Sequence, residues 1–182
     1  MRNESVTIAG LGPHLRMFSG DELFTALIEA AEHRLWIATP YFVPDDRVIS
    51  ALKIAALRGV DVRILVPKES DHKIFILLHQ LFANELQDYN VKIFLYDQGF
   101  LHQKVMIVDR KLAALGSANF DNRSFRLNFE LVAVAAGEES MHKFEAMLDE
   151  DFVGATQLVE QDGANWRQRL ITNTLRLLAP AV

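Results

Sequence analysis

Apolar positions in this chain recur first at helical and then at strand spacing, and the alternation sketches its elements. Residues 1–20 are weakly patterned: Val6 to Ala9 read as a short strand, and Gly10, Gly12 and Pro13 mark a turn. Asp21 then opens a helix in which Leu23, Leu27 and Ala31 share one stripe, with Phe24 and Ile28 beside it. Leu35 to Thr39 reads as a buried strand stopped by Pro40. Asp45 caps a second helix whose inner face is Val48, Ile49, Leu52, Ala55 and Ala56, and Gly59 ends it. Val60 to Val66 is the next strand. Strand, helix, strand in so short a span is a βαβ unit, so these two strands should be parallel. A third helix follows from about Asp71 to Asp88, and a third strand from Val91 to Tyr96.

The pattern then changes. Val105 to Val108 and Leu112 to Leu115 are short β runs split by Asp109-Arg110-Lys111, a hairpin-like connection. Leu131 to Ala135 is another strand, and Glu138 to Phe152 reads as helix. A βαβ beginning with a hairpin-like middle predicts an α/β fold: a mixed β-sheet flanked by helices on both faces. With no repeat and no low-complexity linker, 182 residues form one domain. Within it we read an N-terminal arm (1–20), a core (21–155) and a C-terminal amphipathic tail (156–182). From Gly163 to Val182 there are three arginines and no acid. Trp166, Leu170, Ile171, Thr174, Leu177 and Leu178 share one side of a helical wheel. An interfacial membrane helix and a terminal helix packed on the domain fit that pattern equally.

Half of the sequence is hydrophobic and 24% is charged, which excludes a disordered chain. The net charge of −5 argues against a surface built to grip nucleic acid, but leaves room for a local basic pocket. There is no cysteine, so disulfides and thiolate metal sites are excluded. No stretch approaches the roughly 20 apolar residues that span a bilayer, and the first residues are too polar for a signal peptide. The expectation is a soluble cytoplasmic chain whose membrane contact is peripheral, at the inner face of the cell membrane.

The chemistry lies in one segment. His102-Gln103-Lys104, Asp109 and Gly116-Ser117-Ala118-Asn119 together spell H-x-K-x4-D-x6-G-S-x-N. Six specified residues at fixed offsets arise by chance in such a chain on the order of once in several hundred thousand, taking each at roughly one in twenty. His102 and Lys104 are two apart, so on an extended segment they point to one side, and so do Ser117 and Asn119. If the two segments are neighbours in the sheet, an imidazole, an ammonium, a hydroxyl and an amide meet in one pocket. There the imidazole can attack phosphorus while Lys104 and Asn119 hold the non-bridging oxygens and Ser117 donates a further hydrogen bond. Gly116 permits close backbone approach.

This spacing resembles the HKD signature of the phospholipase D superfamily, with every fixed position present. The resemblance implies two-step displacement through a phosphohistidine, with neither metal nor cofactor. Attack needs a neutral imidazole of fixed tautomer. An acidic residue placed like Glu130 does that job in relatives, which makes Glu130 the candidate here. Asp109 belongs to the motif and is counted with the catalytic set, in a structural capacity: holding the hairpin or pairing with a nearby base. The flanking runs resemble the second half of bacterial cardiolipin synthases: Trp36 to Asp45, Arg58 to Arg63, Ser70-Asp71-His72, and Asn119 to Phe125 followed by Asn128 and Glu130. Tyr41 and Arg123 become candidate substrate contacts with Ser117 and Gly116, and packing or a salt bridge explains either equally well.

What the resemblance implies is an enzyme that condenses two molecules of phosphatidylglycerol, an anionic phospholipid, into cardiolipin and glycerol. Two alternatives remain open: a hydrolytic phosphodiesterase acting on phospholipid or nucleic acid, and a non-catalytic half-domain that needs a partner. Family members carry two such motifs, one histidine attacking and the other serving as acid. None of His14, His33, His72, His79 and His142 starts a second. A homodimer, or pairing with a second motif-bearing half, is therefore expected.

Overall fold

The structure is a computed structural model that describes residues 4–13, 19–70 and 73–159. The loop residues Asp71 and His72, part of the N-terminal arm and the Gly163–Val182 tail lie outside the described residues.

The chain order is β1 (Ser5–Leu11), α1 (Gly20–Glu29), β2 (Arg34–Ala38), β3 (Phe42–Val43), α2 (Asp46–Leu57), β4 (Asp61–Pro67), α3 (Lys73–Leu86), β5 (Lys92–Tyr96), β6 (Val105–Val108), β7 (Leu112–Gly116), β8 (Phe120–Asp121), α4 (Asn122–Arg126), β9 (Glu130–Ala136), α5 (Glu138–Val153) and β10 (Thr156–Leu158). Eight strands form one sheet in the order β1-β9-β7-β6-β2-β4-β5-β10, and β3 pairs with β8 in a small second sheet. The β2–β4 and β4–β5 pairs are parallel, as the βαβ pattern requires, and β6 and β7 are the antiparallel hairpin. The sheet is mixed.

Alternate residues of each strand bury against opposite layers, the period of a pleated strand. Leu35, Ile37, Ile64, Met106 and Val132 join the core formed with α1, α2 and α3. Trp36, Ala38, Ile107, Ala113 and Ala135 face α5 through Met141, Leu148 and Phe152. Helices therefore cover both faces. Each fully buried large apolar side chain stabilises this packing by about 1.5–3 kcal/mol. The expected caps form: the Asp45 carboxylate accepts from the Val48 N–H at 3.0 Å, and Gly59 takes the left-handed φ of 90° that ends α2.

Four elements are absent from the sequence reading: β3, β8, β10 and the five-residue α4. β3 and β8 are two-residue strands, too short to carry a period, and β10 is a three-residue edge strand antiparallel to β5. The small β3–β8 sheet matters for the site because it anchors the chain just beyond Asn119. Phe42 pairs with Phe120 there. Phe120 packs on Phe24 of α1 with ring centroids 4.8 Å apart, and Phe125 of α4 lies 5.3 Å from the same ring.

Candidate active site

His102 and Lys104 lie on the segment that runs into β6, and Gly116 to Asn119 on the segment that leaves β7. The β6–β7 register pairs Val105 with Leu115, and the Gly116 N–H donates to the Lys104 carbonyl at 3.2 Å, so the two segments are neighbours. β9 closes the third side: the Ser117 N–H donates to the Leu131 carbonyl at 3.0 Å, and the Leu131 N–H to the Ser117 hydroxyl at 3.1 Å. Gly116 is required by this closeness. A Cβ there would collide with the Leu131 carbonyl and sit 2.9 Å from the Val132 Cα. The close approach expected at Gly116 is thus to the backbone of β9.

The His102 ring is exposed and stacks on Phe100, centroids 5.4 Å apart and planes 15° apart. Among the described residues nothing hydrogen-bonds to the imidazole. The Lys104 ammonium donates to the His102 carbonyl at 2.8 Å, which holds the cation beside that ring's own backbone. Partial burial pushes the Lys104 ammonium below its ordinary pKa, and the carboxylates of Glu130 and Asp121 pull the other way. The Asn119 backbone N–H donates to the Ser124 hydroxyl at 3.1 Å, while its side-chain oxygen is buried without a hydrogen-bond partner among the described residues.

Glu130 opens β9 and gathers three side-chain donors. The Ser117 hydroxyl reaches one oxygen; the Ser124 hydroxyl at 3.3 Å and the Asn128 amide at 3.2 Å reach the other. It is this cluster, and not the imidazole, that Glu130 contacts in the chain. Asp121 stands beside it, almost fully buried, its carboxyl pushed up by burial and by the nearby Glu130 charge. The sequence reading took in Asp121 and Ser124 only as part of the run Asn119 to Phe125 and gave neither a role. The signal was there, since an Asp three residues ahead of Ser124 reads as a helix N-cap, and the Asp121 carboxylate accepts from the Ser124 N–H at 2.7 Å.

The remaining candidates lie apart. Asp109 is at the other end of β6, in the hairpin turn with a left-handed φ of 52°. Its carboxylate accepts from the N–H groups of His33 and Arg34, both at 2.8 Å, and Glu32 at 3.2 Å. Burial raises its pKa, but those three donors and Lys111 outweigh that and hold it below the ordinary carboxylate value. The structural role given to Asp109 fits this placement; the site at His102 does not include it. Tyr41 stacks on Phe75 of α3 at 4.1 Å. Arg123 is exposed on α4, and its carbonyl accepts from Leu127 and Asn128. Among the described residues no three or more imidazole and carboxylate side chains gather as a metal site. Nor, among them, is any helix long and apolar enough to cross a membrane.

Four polar residues and a glycine at these offsets lie on neighbouring segments at one sheet end, and the wider sequence agrees. Residues 24–152 match the family described as "Cardiolipin synthase, PLD-like domain". The chain belongs to this family. It is 48% identical over 159 residues to Cardiolipin synthase A of Pseudomonas aeruginosa (strain LESB58), a match covering 86% of this chain and 32% of that protein. Cardiolipin synthase A of Pseudomonas putida (strain GB-1) is 44% identical over the same length, with 33% of it covered. The chain thus spans about a third of the length of the curated relatives it matches. The fold is that of the phospholipase D family member Nuc from Salmonella typhimurium (TM-score 0.73, 19% identity, 87% of this chain and 100% of that one). It is also shared by the phosphatidylserine synthase of Haemophilus influenzae (TM-score 0.75, 17% identity, 100% of this chain and 49% of that one).

Proposed function

We propose that this PLD-like domain is the phosphatidyl-transferring part of a cardiolipin synthase. What supports this reading is that His102, Lys104, Ser117 and Asn119 lie on adjacent segments in a chain 48% identical to such enzymes. Phosphatidylglycerol is the donor. The His102 imidazole attacks phosphorus, a P–N bond forms, and the P–O bond to glycerol breaks. The departing glycerol oxygen takes a proton from an acid. The hydroxyl of a second phosphatidylglycerol then attacks phosphorus, the P–N bond breaks, and the proton released returns to that acid, giving cardiolipin. Lys104 and the Asn119 amide stabilise the charge that builds on the non-bridging oxygens. Ser117 and Glu130 hold the floor of the pocket, and no metal enters the scheme.

One imidazole cannot serve as nucleophile and acid in the same step, so the acid comes from a partner: a second copy's His102 or another motif-bearing half. Two facts support a partner. The relatives are three times as long as the chain's match. Beside the site, Phe100, Phe129 and Leu131 stand 77%, 73% and 63% exposed, an apolar rim that a second half would cover.

The test is incubation of the purified chain with phosphatidylglycerol in mixed micelles, lipid products read by mass spectrometry beside a His102→Ala control. Cardiolipin formed only by the unsubstituted chain supports transfer. Phosphatidic acid in its place overturns transfer in favour of hydrolysis.

A further inference from the structure

Ser124 lies five residues beyond the last motif position, and its hydroxyl is not what caps its own helix. The α4 N-cap is made by the Asp121 carboxylate on the Ser124 backbone N–H, a bond that any residue at that position would supply. Ser124 is nonetheless 0% exposed, and a buried hydroxyl destabilises unless it is paired. Both of its arms leave the helix. It accepts from the Asn119 N–H at 3.1 Å and donates to the Glu130 carboxylate at 3.3 Å. One side chain thereby ties the segment after β7 to the start of β9, across the floor of the candidate site.

The base from which it does so is fixed on two sides. Phe125, the next residue, is buried against Phe24 and Phe120. Arg126 bonds the carboxylates of Asp21 at 2.9 Å and Asp45 at 2.8 Å, tying α4 to the starts of α1 and α2. The Asn128 N–H and amide then fix the exit of α4, on the Arg123 carbonyl and on Glu130. A hydroxyl carried on so constrained a turn has little freedom to choose other partners.

We propose that Ser124 is a positioning residue for the transfer reaction: its hydroxyl sets the placement of Asn119 relative to Glu130. The functional part of this rests on the reading of the site given above. The charged groups around this joint are Asp121 and Glu130, with Lys104 drawn toward both. Loss of the hydroxyl therefore loosens the amide that meets phosphate and takes away the one proton that faces the carboxylates of both Glu130 and the buried Asp121.

The experiment uses the full chain with Ser124→Ala and Ser124→Cys. The cysteine keeps the side-chain shape with a weak donor and serves if the alanine variant does not fold. Amide hydrogen exchange is followed at Asn119, with the Phe120 N–H, which is bonded to the Thr39 hydroxyl, as internal reference. We expect exchange at Asn119 to quicken about tenfold against Phe120, the size of one lost hydrogen bond. The Asp121 carboxyl titration should move further up. With phosphatidylglycerol, kcat should fall about 10–100-fold while KM stays within about twofold, as for a misplaced group that does not itself bind substrate. Unchanged exchange at Asn119 overturns the proposal, and so does quickened exchange with unchanged kcat. If the unsubstituted chain gives no product, it is the transfer reading that fails; exchange at Asn119 and the Asp121 titration still decide whether Ser124 holds this joint.

Discussion

At the turn end of the β6–β7 hairpin, Asp109 accepts from three backbone N–H groups and ties the turn to the start of β2. At the open end, the His102 imidazole meets no hydrogen-bonding group among the described residues, and the Asn119 side-chain oxygen is buried without one. A single spacing pattern names residues at both ends. Its aspartate belongs to the end where polar groups are satisfied from within the chain. Its histidine, lysine and asparagine belong to the end where capacity is left for something from outside. A buried or clefted polar group without a partner is costly, so folded chains keep such groups mainly where a ligand completes them. The contrast separates a residue that holds the hairpin from the residues proposed to act on phosphate.

Substitutions at the two ends should fail in different ways. At the open end the largest effect is expected from His102→Ala, which removes the proposed nucleophile and should lower turnover by about three orders of magnitude or more with an unchanged melting temperature. Lys104→Ala should cost about 10²–10³-fold in kcat, read by initial rates with phosphatidylglycerol. Full activity in either variant would break the assignment of this end.

At the turn end the loss should be of stability. Asp109→Ala leaves three backbone N–H groups without their acceptor and should destabilise the fold by about 2–4 kcal/mol in urea unfolding, while folded molecules keep their turnover. The linkage has a definite sign. The folded pKa of Asp109 lies below its unfolded value of about 3.9, so its contribution is present above that pH and is lost as pH falls through the folded pKa. The variant should accordingly lose the part of acid sensitivity that lies below about pH 4. A variant that is fully stable but inactive would contradict the division of labour.

Gly116→Ala tests the seam between the ends. The new methyl meets the backbone of β9, so about 1–3 kcal/mol of stability should go, with turnover falling alongside as β7 and β9 separate.

The smallest effect at neutral pH lies in neither end. His79 is 1% exposed in α3, with neither ring nitrogen hydrogen-bonded among the described residues, and burial pushes its pKa down to about 3. The unfolded chain binds its proton below about pH 6.5 and the folded chain does not. His79 thus costs no stability through protonation above that pH and weakens the fold by about 1.4 kcal/mol per unit as pH falls toward 3. His79→Leu should leave melting at pH 7.5 nearly unchanged and flatten its fall toward pH 5. An equally steep fall would show that His79 is not the acid-sensitive group.

How much of this was legible in the sequence follows from how local each feature is. The α2 cap at Asp45, the parallel β2–β4 pair and the β6–β7 hairpin rest on residues close in the chain, and they were readable. So was the placement of His102 and Lys104 on a segment beside that of Ser117 and Asn119, because the two segments flank that hairpin. The acceptor role of Asp109 toward Glu32 to Arg34 links positions far apart, and no periodicity reports it. Glu130 was read as the partner of the His102 imidazole; its contacts with Ser117, Ser124 and Asn128 depend instead on how α4 turns between β8 and β9. A five-residue helix has too little hydrophobic pattern to announce that turn. β3, β8 and β10 escaped for the same reason.

The most direct test of the central claim is a rapid alkaline quench of the chain turning over phosphatidylglycerol, followed by peptide mass spectrometry. The account predicts a phosphatidyl adduct on His102, absent from His102→Ala and retained in Asp109→Ala molecules that remain folded. An adduct on another residue, or cardiolipin formed by the His102→Ala chain, would contradict it.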